Sequence, residues 1–372
     1  MSKPANADVR SLWASWYQPV TLPRPELLIP ANQNTPQAQS DNDNLPAFQG
    51  SYDGTLASLV DGYLTDPVSP FHATRHCTKI SYRTLCRRLV TDHGTARISD
   101  LKYRTLLEWK NAWGAAGQVP MTHALFAMLR ITIRFGATIL EEAECERAAS
   151  VLHGMRVPVA KPRRETITLP QMLAICDRAT AIGRTSIAFA QKIQFAATLR
   201  QKDVIGEWVP MSEPGESDIA NDNKKWIRGI RWEEIDDNLI LRHTTSKKQK
   251  EIIVDLTVDP LVRDEIARIG NKPESGPLIV SETTRLPYTA HEFRRHWRNI
   301  ATFVGVPKNV RNMDTRASAV TEAAEAGVPL ETIQHAAAHS STDQTADYAR
   351  VDQARQIRTA MEKRVAARKQ TC

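Results

Sequence analysis

The sequence predicts a mainly α-helical protein with a small antiparallel β-sheet, an α+β fold, and three observations carry that reading. Apolar residues recur at helical spacing over residues 54–140 and again from Thr168 onward. Strand-like segments, at 230–236 and 252–256, cluster around one lysine-rich turn. A basic, proline-bearing stretch at 156–167 separates two helical parts, and 372 residues suffice for two cores.

Taken in order, residues 1–50 are rich in Pro, Asn, Gln and Asp and predict an irregular, disordered extension. Trp13, Trp16 and Tyr17 interrupt it as an apolar group able to dock elsewhere. Residues 51–155 predict a helical domain. Its first helix carries Leu56, Leu59, Val60, Tyr63 and Leu64 on one stripe and ends at Asp66 and Pro67. The next buries Tyr82, Leu85, Cys86, Leu89 and Val90 and stops at Gly94. Beside that stripe stand Lys79, Arg83 and Arg87, four apart, with no acidic residue between Pro67 and Thr91. Such a row suits a phosphate-contacting edge better than a merely solvated face. Helices near 103–113 and 122–135 complete a bundle of four or five.

The linker at 156–167 holds Lys161, Arg163 and Arg164 around Pro162, an extended run suited to crossing a phosphate backbone. A second domain, 168–353, opens on Thr168-Leu169-Pro170-Gln171, a capping box with proline in the first turn. Residues 209–225 predict a polar loop insertion without a motif, and 230–236 predict the opening strand of a three-stranded sheet. Residues 354–372 carry six Lys or Arg against one Glu and predict a basic helix or tail.

A net charge of +7 favours a polyanionic partner. Five cysteines without paired spacing point to reduced thiols. The first residues show no signal-peptide core and no apolar run spans a bilayer. A cytoplasmic protein with no membrane partner is expected.

The chemistry concentrates in residues 338–350, AHSSTDQTADYAR, which set His339 and Tyr348 nine apart with Thr345 between, and Arg316 upstream. Histidine and arginine donate to phosphate oxygens, and a tyrosine hydroxyl can attack phosphorus and hold it as an ester. Two planar guanidiniums clamp non-bridging oxygens more rigidly than lysines do. Singly, each residue has a plainer reading: surface arginine, core tyrosine, solvated hairpin lysines, a capping aspartate. Their joint order argues against that.

These residues resemble the tyrosine recombinases, or phage integrase family. There a His-Ser step is followed, nine residues after the histidine, by the nucleophilic tyrosine. Asp314-Thr315-Arg316 and Gly327-Val328 are similar to the elements that precede that step, and 197–204, ATLRQKDV, resembles the box of the first arginine. The resemblance implies Arg200 on phosphate with Asp203 as its support, Arg316 as second clamp, His339 as phosphate donor or proton acceptor, and Tyr348 as nucleophile. Lys247 takes the position of the catalytic hairpin lysine, with Lys248 its competitor. It also implies a helical core-binding domain joined to a catalytic domain. The activity implied is site-specific recombination through a 3′-phosphotyrosine, for integration, excision or resolution of a mobile element. The implied partners are double-stranded DNA, further copies of the chain (a tetramer on DNA) and accessory DNA-bending or directionality factors. No metal, ATP or other cofactor is implied, and the DNA partner implies association with the bacterial nucleoid when bound.

Two positions depart from the family pattern. Met313 stands where histidine is usual, three residues before Arg316, and Ala338 replaces glycine before His339. A thioether donates no hydrogen bond, so one phosphate or tyrosine contact is lost or supplied by a neighbour. Alanine is the milder change if the backbone there keeps a negative φ. A weakened or inactive DNA-binding relative, and a type IB topoisomerase or telomere resolvase, stay open as alternatives. A metal pair of His335 and His339 lacks a third ligand in the sequence.

Overall fold

The computed structural model describes residues 52–349 and, further on, 357, 358, 361, 362, 364, 365 and 368. Trp13, Trp16, Tyr17 and the rest of the N-terminal extension lie outside the described residues, as does most of the 354–372 tail. The chain divides into two compact units between Arg163 and Arg164.

The first unit is built from α1 (Leu56–Thr65), α2 (His76–His93), α3 (Tyr103–Gly114), α4 (Val119–Thr138) and α5 (Ala143–Gly154). Thr55 caps α1 by accepting from the Ser58 amide at 3.2 Å. Leu125, Phe126, Met128, Leu129, Ile133 and Phe135 bury the long face of α4 against Leu56, Leu59, Cys86, Leu89 and Leu152. A buried Phe126 truncated to alanine would cost about 3–5 kcal/mol at such a site. Trp113 closes the bundle by donating to Asp92 at 2.8 Å. One expected core position is not buried: Val90, in the last turn of α2, is 37% exposed, because only Cys86 and Leu89 face inward at that end. Lys79 and Arg83 are half-buried and Arg87 exposed on the same helix, with the Arg83 guanidinium 5.5 Å from the Phe71 ring centroid.

Residues 155–168 run without regular structure, with Lys161 and Arg164 exposed and Arg163 half-buried. At their end Ile167 is buried and its amide donates to Ser318 Oγ at 2.8 Å, tying the chain to the second unit's core.

That unit opens with α6 (Leu169–Ala181), where Thr168 and Gln171 form the anticipated capping box. Next comes α7 (Thr185–Ala196), nearly all of it buried: Ile187, Ala188, Phe189, Ala190 and Ile193 meet no solvent to speak of. Short α8 (Gln201–Ile205) ends at Gly206, φ +71°, where any side chain would strike the Trp226 indole. The sheet differs from expectation. Residues 209–225 are not simply a loop: β1 (Glu207–Pro210), β2 (Ala220–Asn221) and β3 (Lys224–Ile227) form an antiparallel sheet ordered β1-β3-β2. Residues 230–236 are not a strand; Trp232–Glu234 is a 3-10 turn, closed by Glu234 accepting from the Arg231 amide at 2.8 Å. Strands β4 (Ile240–Thr244) and β5 (Glu251–Asp255) make a separate hairpin, with Thr244 opposite Glu251.

Helices α9 (Pro260–Ile269), α10 (Ala290–Phe303), α11 (Asp314–Glu325), α12 (Leu330–Ala336) and α13 (Thr342–Tyr348) complete the unit. The fold is mainly helical with small antiparallel sheets, as the sequence predicts. No helix of the described residues is long and apolar enough to cross a membrane.

Candidate active site

Arg316 sits in the first turns of α11 and is 3% exposed. A buried amide network fixes that turn: Gln191 of α7 donates to Thr315 Oγ1 at 2.8 Å and accepts from Trp297 Nε1 at 2.7 Å and Asn312 Nδ2 at 3.0 Å. Its guanidinium donates from Nη1 to the Thr198 carbonyl at 2.7 Å and from Nη2 to the Ala337 carbonyl. Burial first, and then the charge of Arg200, lowers the Arg316 pKa to about 10, so it stays cationic at neutral pH.

Arg200 precedes α8. Its amide donates to Asp203 Oδ2 at 3.2 Å, and its Nη1 lies 3.9 Å from the same oxygen. Asp203 is fully buried, and its Oδ1 accepts from the Ser246 amide at 2.7 Å. One carboxylate therefore anchors both the Arg200 turn and the base of the β4–β5 turn that carries Lys247 and Lys248, both exposed.

His339 is 1% exposed, with Nδ1 3.0 Å from Thr345 Oγ1. The Thr345 hydroxyl donates to the Ser341 carbonyl at 3.2 Å, so its oxygen accepts from His339 Nδ1–H. That assigns the neutral tautomer and leaves a lone pair on Nε2. Burial, then Arg316 and Arg200, push the His339 pKa down to about 4, which keeps the ring neutral. The half-buried Tyr348 ring lies with its centroid 4.8 Å from that of His339 and 5.8 Å from Arg316 Cζ. It packs on Val320, Ile333 and Ala337, and Thr321 donates to its carbonyl at 3.2 Å.

The structure thus brings Arg200, Asp203, Arg316, His339 and Tyr348 together within one unit. Nη1 of Arg200, Nε of Arg316 and Nε2 of His339 are buried without a hydrogen-bond partner among the described residues. Unpaired buried polar atoms are costly, so a cluster of them marks a place suited to a ligand, here one that brings acceptor oxygens to the two guanidiniums and a donor to His339 Nε2. Met313 is 56% exposed at the start of α11. Ala338 takes φ +49°, so the condition for a mild replacement fails and the alanine carries backbone strain. His335 is exposed while His339 is buried, so the two do not face one ion. Among the described residues, no cluster of three or more His, Cys, Asp or Glu is placed to hold a metal ion.

Sequence reasoning missed Thr198, whose carbonyl holds Arg316, and Lys250, whose ammonium donates to the His339 carbonyl at 3.3 Å. Thr198 lies within the arginine box and Lys250 within the lysine turn, but residue type alone does not reveal a backbone acceptor or a long-range bond.

Residues 225–355 match the phage integrase family. Among solved structures the chain is similar to a lambda integrase dimer bound to a COC′ core site (17% identity, TM-score 0.62, 79% of this chain and 77% of that one). It is also similar to a lambda integrase tetramer bound to a Holliday junction (15%, 0.60, 80% and 79%). A third likeness is to the Tn1549 transposon integrase in complex with circular intermediate DNA (15%, 0.58, 82% and 99%). No curated protein matches the chain. At these identities the structural likenesses speak for the fold. The family match is confined to that segment, about a third of the chain, and the chain as a whole shares the fold of these integrases.

Proposed function

We propose that this chain is a site-specific DNA recombinase that cuts and rejoins DNA strands through a 3′-phosphotyrosine, without metal or ATP, in integration, excision or resolution of a mobile element. The observation that carries the reading is the trio of unpartnered buried nitrogens on Arg200, Arg316 and His339 beside the Tyr348 ring. A phosphodiester supplies the acceptor oxygens that the two arginine nitrogens lack, and the Nε2 lone pair of His339 is left for a donor such as the tyrosine hydroxyl. Charge grows on those oxygens as a fifth oxygen approaches phosphorus, and preorganised donors stabilise that growth most.

In the step we propose, the Tyr348 hydroxyl oxygen forms a bond to phosphorus while the bond to the 5′ oxygen breaks. A phenol holds its proton at neutral pH, so the proton goes to a base, and the free Nε2 lone pair of neutral His339 is suited to take it. The departing 5′ oxygen receives a proton from the hairpin lysine, Lys247, with Lys248 in reserve; such acid catalysis is worth roughly 10² to 10⁴ in rate. The phosphate stays esterified to Tyr348, so attack by another strand's 5′ hydroxyl reverses the step without an external energy source.

The first unit, with Lys79, Arg83 and Arg87, and the linker residues Lys161, Arg163 and Arg164 would hold the duplex through its phosphates. Double-stranded DNA and further copies of the chain are the partners that fit; the similar integrases are DNA-bound dimers and tetramers. The decisive experiment is a nicked suicide substrate. Wild type should accumulate a covalent protein–DNA adduct that resists chelator. Tyr348→Phe should form none while binding the same DNA nearly as tightly. An adduct with the phenylalanine variant would sink the assignment.

A further inference from the structure

We propose that Lys250 is a positioning residue that latches the lysine-bearing hairpin onto the His339 turn, so that the proton donor and the nucleophile segment move as one. The inference rests on the recombinase reading and goes beyond it, since the sequence places the proton donor at Lys247 or Lys248 and gives Lys250 no task. Lys250 Nζ donates to the His339 carbonyl at 3.3 Å, a bond between segments 89 residues apart.

The rest of the turn is arranged to aim that side chain. Thr245 donates from its amide to the Lys250 carbonyl at 2.8 Å and from its hydroxyl to the same oxygen at 3.1 Å. The Lys250 amide donates back to Thr245 Oγ1 at 3.3 Å, and Gln249 Nε2 donates to the Ser246 carbonyl at 3.2 Å. Lys247 and Lys248 therefore ride on a closed loop, with Gln249 in the left-handed region at φ +52°. Two of its bonds run to segments that carry the site. Its start is bonded to Asp203, which also holds the Arg200 turn, and its end is bonded through Lys250 to the residue whose ring meets Tyr348. Strand β5 leaves the loop and packs on α12, which leads into His339.

The Asp203 bond holds the start of the loop and leaves its far end, toward the His339 turn, to be fixed separately. The ammonium fixes the second point, and because His339 and Tyr348 pack together, loss of the bond would loosen acid and nucleophile at once. Lys250 is exposed, so its replacement removes no core packing.

The test separates positioning from proton donation. Cleavage is timed on an ordinary suicide substrate and on one whose 5′ bridging oxygen is sulfur, because a thiolate leaves without a proton. Lys247→Ala should be slow on oxygen and restored on sulfur. Lys250→Ala should be slowed at least tenfold on both alike, and Lys250→Arg, which keeps a donor, should recover most of the rate. Amide hydrogen exchange on the DNA-free protein gives an independent readout. Lys250→Ala should speed exchange in the 245–250 turn and at 339–341, with the core amides of α7 unchanged. Wild-type rates with unchanged exchange would overturn the latch. Rescue of Lys250→Ala by sulfur would overturn it too, making Lys250 the proton donor instead. If wild type forms no adduct on either substrate, the recombinase reading fails, and the exchange result still decides whether the latch exists.

Discussion

Arg316 donates from Nη1 to the carbonyl oxygen of Thr198 at 2.7 Å, and Thr198 presents that oxygen from a left-handed conformation, φ +50°. A β-branched residue there is an outlier. The strain is retained where the backbone must turn an acceptor toward a buried cation. Ala338 repeats the device on the other side: it sits at φ +49° next to Ala337, whose carbonyl accepts from Nη2. Two strained turns thus occupy both ends of the guanidinium and leave Nε for a ligand.

Arg316→Lys should therefore fail twice. An ammonium cannot reach both carbonyls and present a third donor, so at least one buried acceptor loses its partner, at roughly 1–3 kcal/mol of stability. Loss of a preorganised donor to phosphate should lower single-turnover cleavage by about 10² or more. Adduct formation in the presence of saturating DNA checks the second effect and urea unfolding the first. Cleavage within twofold of wild type would remove Arg316 from the clamp.

The alanine at 338 invites a pair of substitutions. Ala338→Gly relieves left-handed strain of about 1–2 kcal/mol and gives up a buried methyl, about 0.8 kcal/mol. Stability should rise by no more than about 1 kcal/mol, with cleavage preserved. Ala338→Val puts a β-branched side chain into the same φ and should cost well over 1 kcal/mol and most of the cleavage. Parallel urea melts and adduct assays decide it; a valine variant as stable as the glycine variant would mean the backbone relaxes freely.

His339 ties stability to pH. Its folded pKa lies near 4, depressed from 6.5 by burial and by the two arginines. Between those values the unfolded chain binds a proton that the folded protein does not, so stability rises with pH across that window. It is lost as pH falls from about 6.5 toward 4. A full shift of this size corresponds to on the order of 3 kcal/mol. Urea melts at pH 7 and pH 4.5 should show wild type losing more stability than His339→Gln, whose side chain does not titrate. Equal losses would mean His339 is protonated in the folded state.

Much of this arrangement was legible beforehand, and the rest was hidden for physical reasons. Helical periodicity found the bundle because apolar stripes there face one core, and the Thr168 capping box is local chemistry that needs no tertiary context. The Arg, His and Tyr positions were legible because residue type and spacing both constrain them. The sheet was not. β2 has two residues, and residues 230–236 alternate like a strand but close as a turn because Glu234 accepts from the Arg231 amide and Asp203 accepts from the Ile230 amide. Nor could spacing reveal that Lys250 reaches the His339 carbonyl or that Ala338 stands at positive φ. Both depend on contacts across the folded chain.

Met313 supplies the last test. It starts α11 in the right-handed helical region, φ −61° and ψ −20°, and is 56% exposed, so its side chain does little for the core. A histidine there should fit without backbone adjustment, and Met313→His should leave stability within about 0.5 kcal/mol, as for most surface changes. Its ring would add a donor or proton acceptor three residues before Arg316. If the site cleaves with His339 alone as base, the added histidine should preserve the single-turnover rate or raise it by up to about tenfold. If wild type proves inert, the same substitution is the one expected to bring adduct formation above background. A large drop in cleavage, with binding and stability intact, would show that exposed methionine is part of a different local geometry.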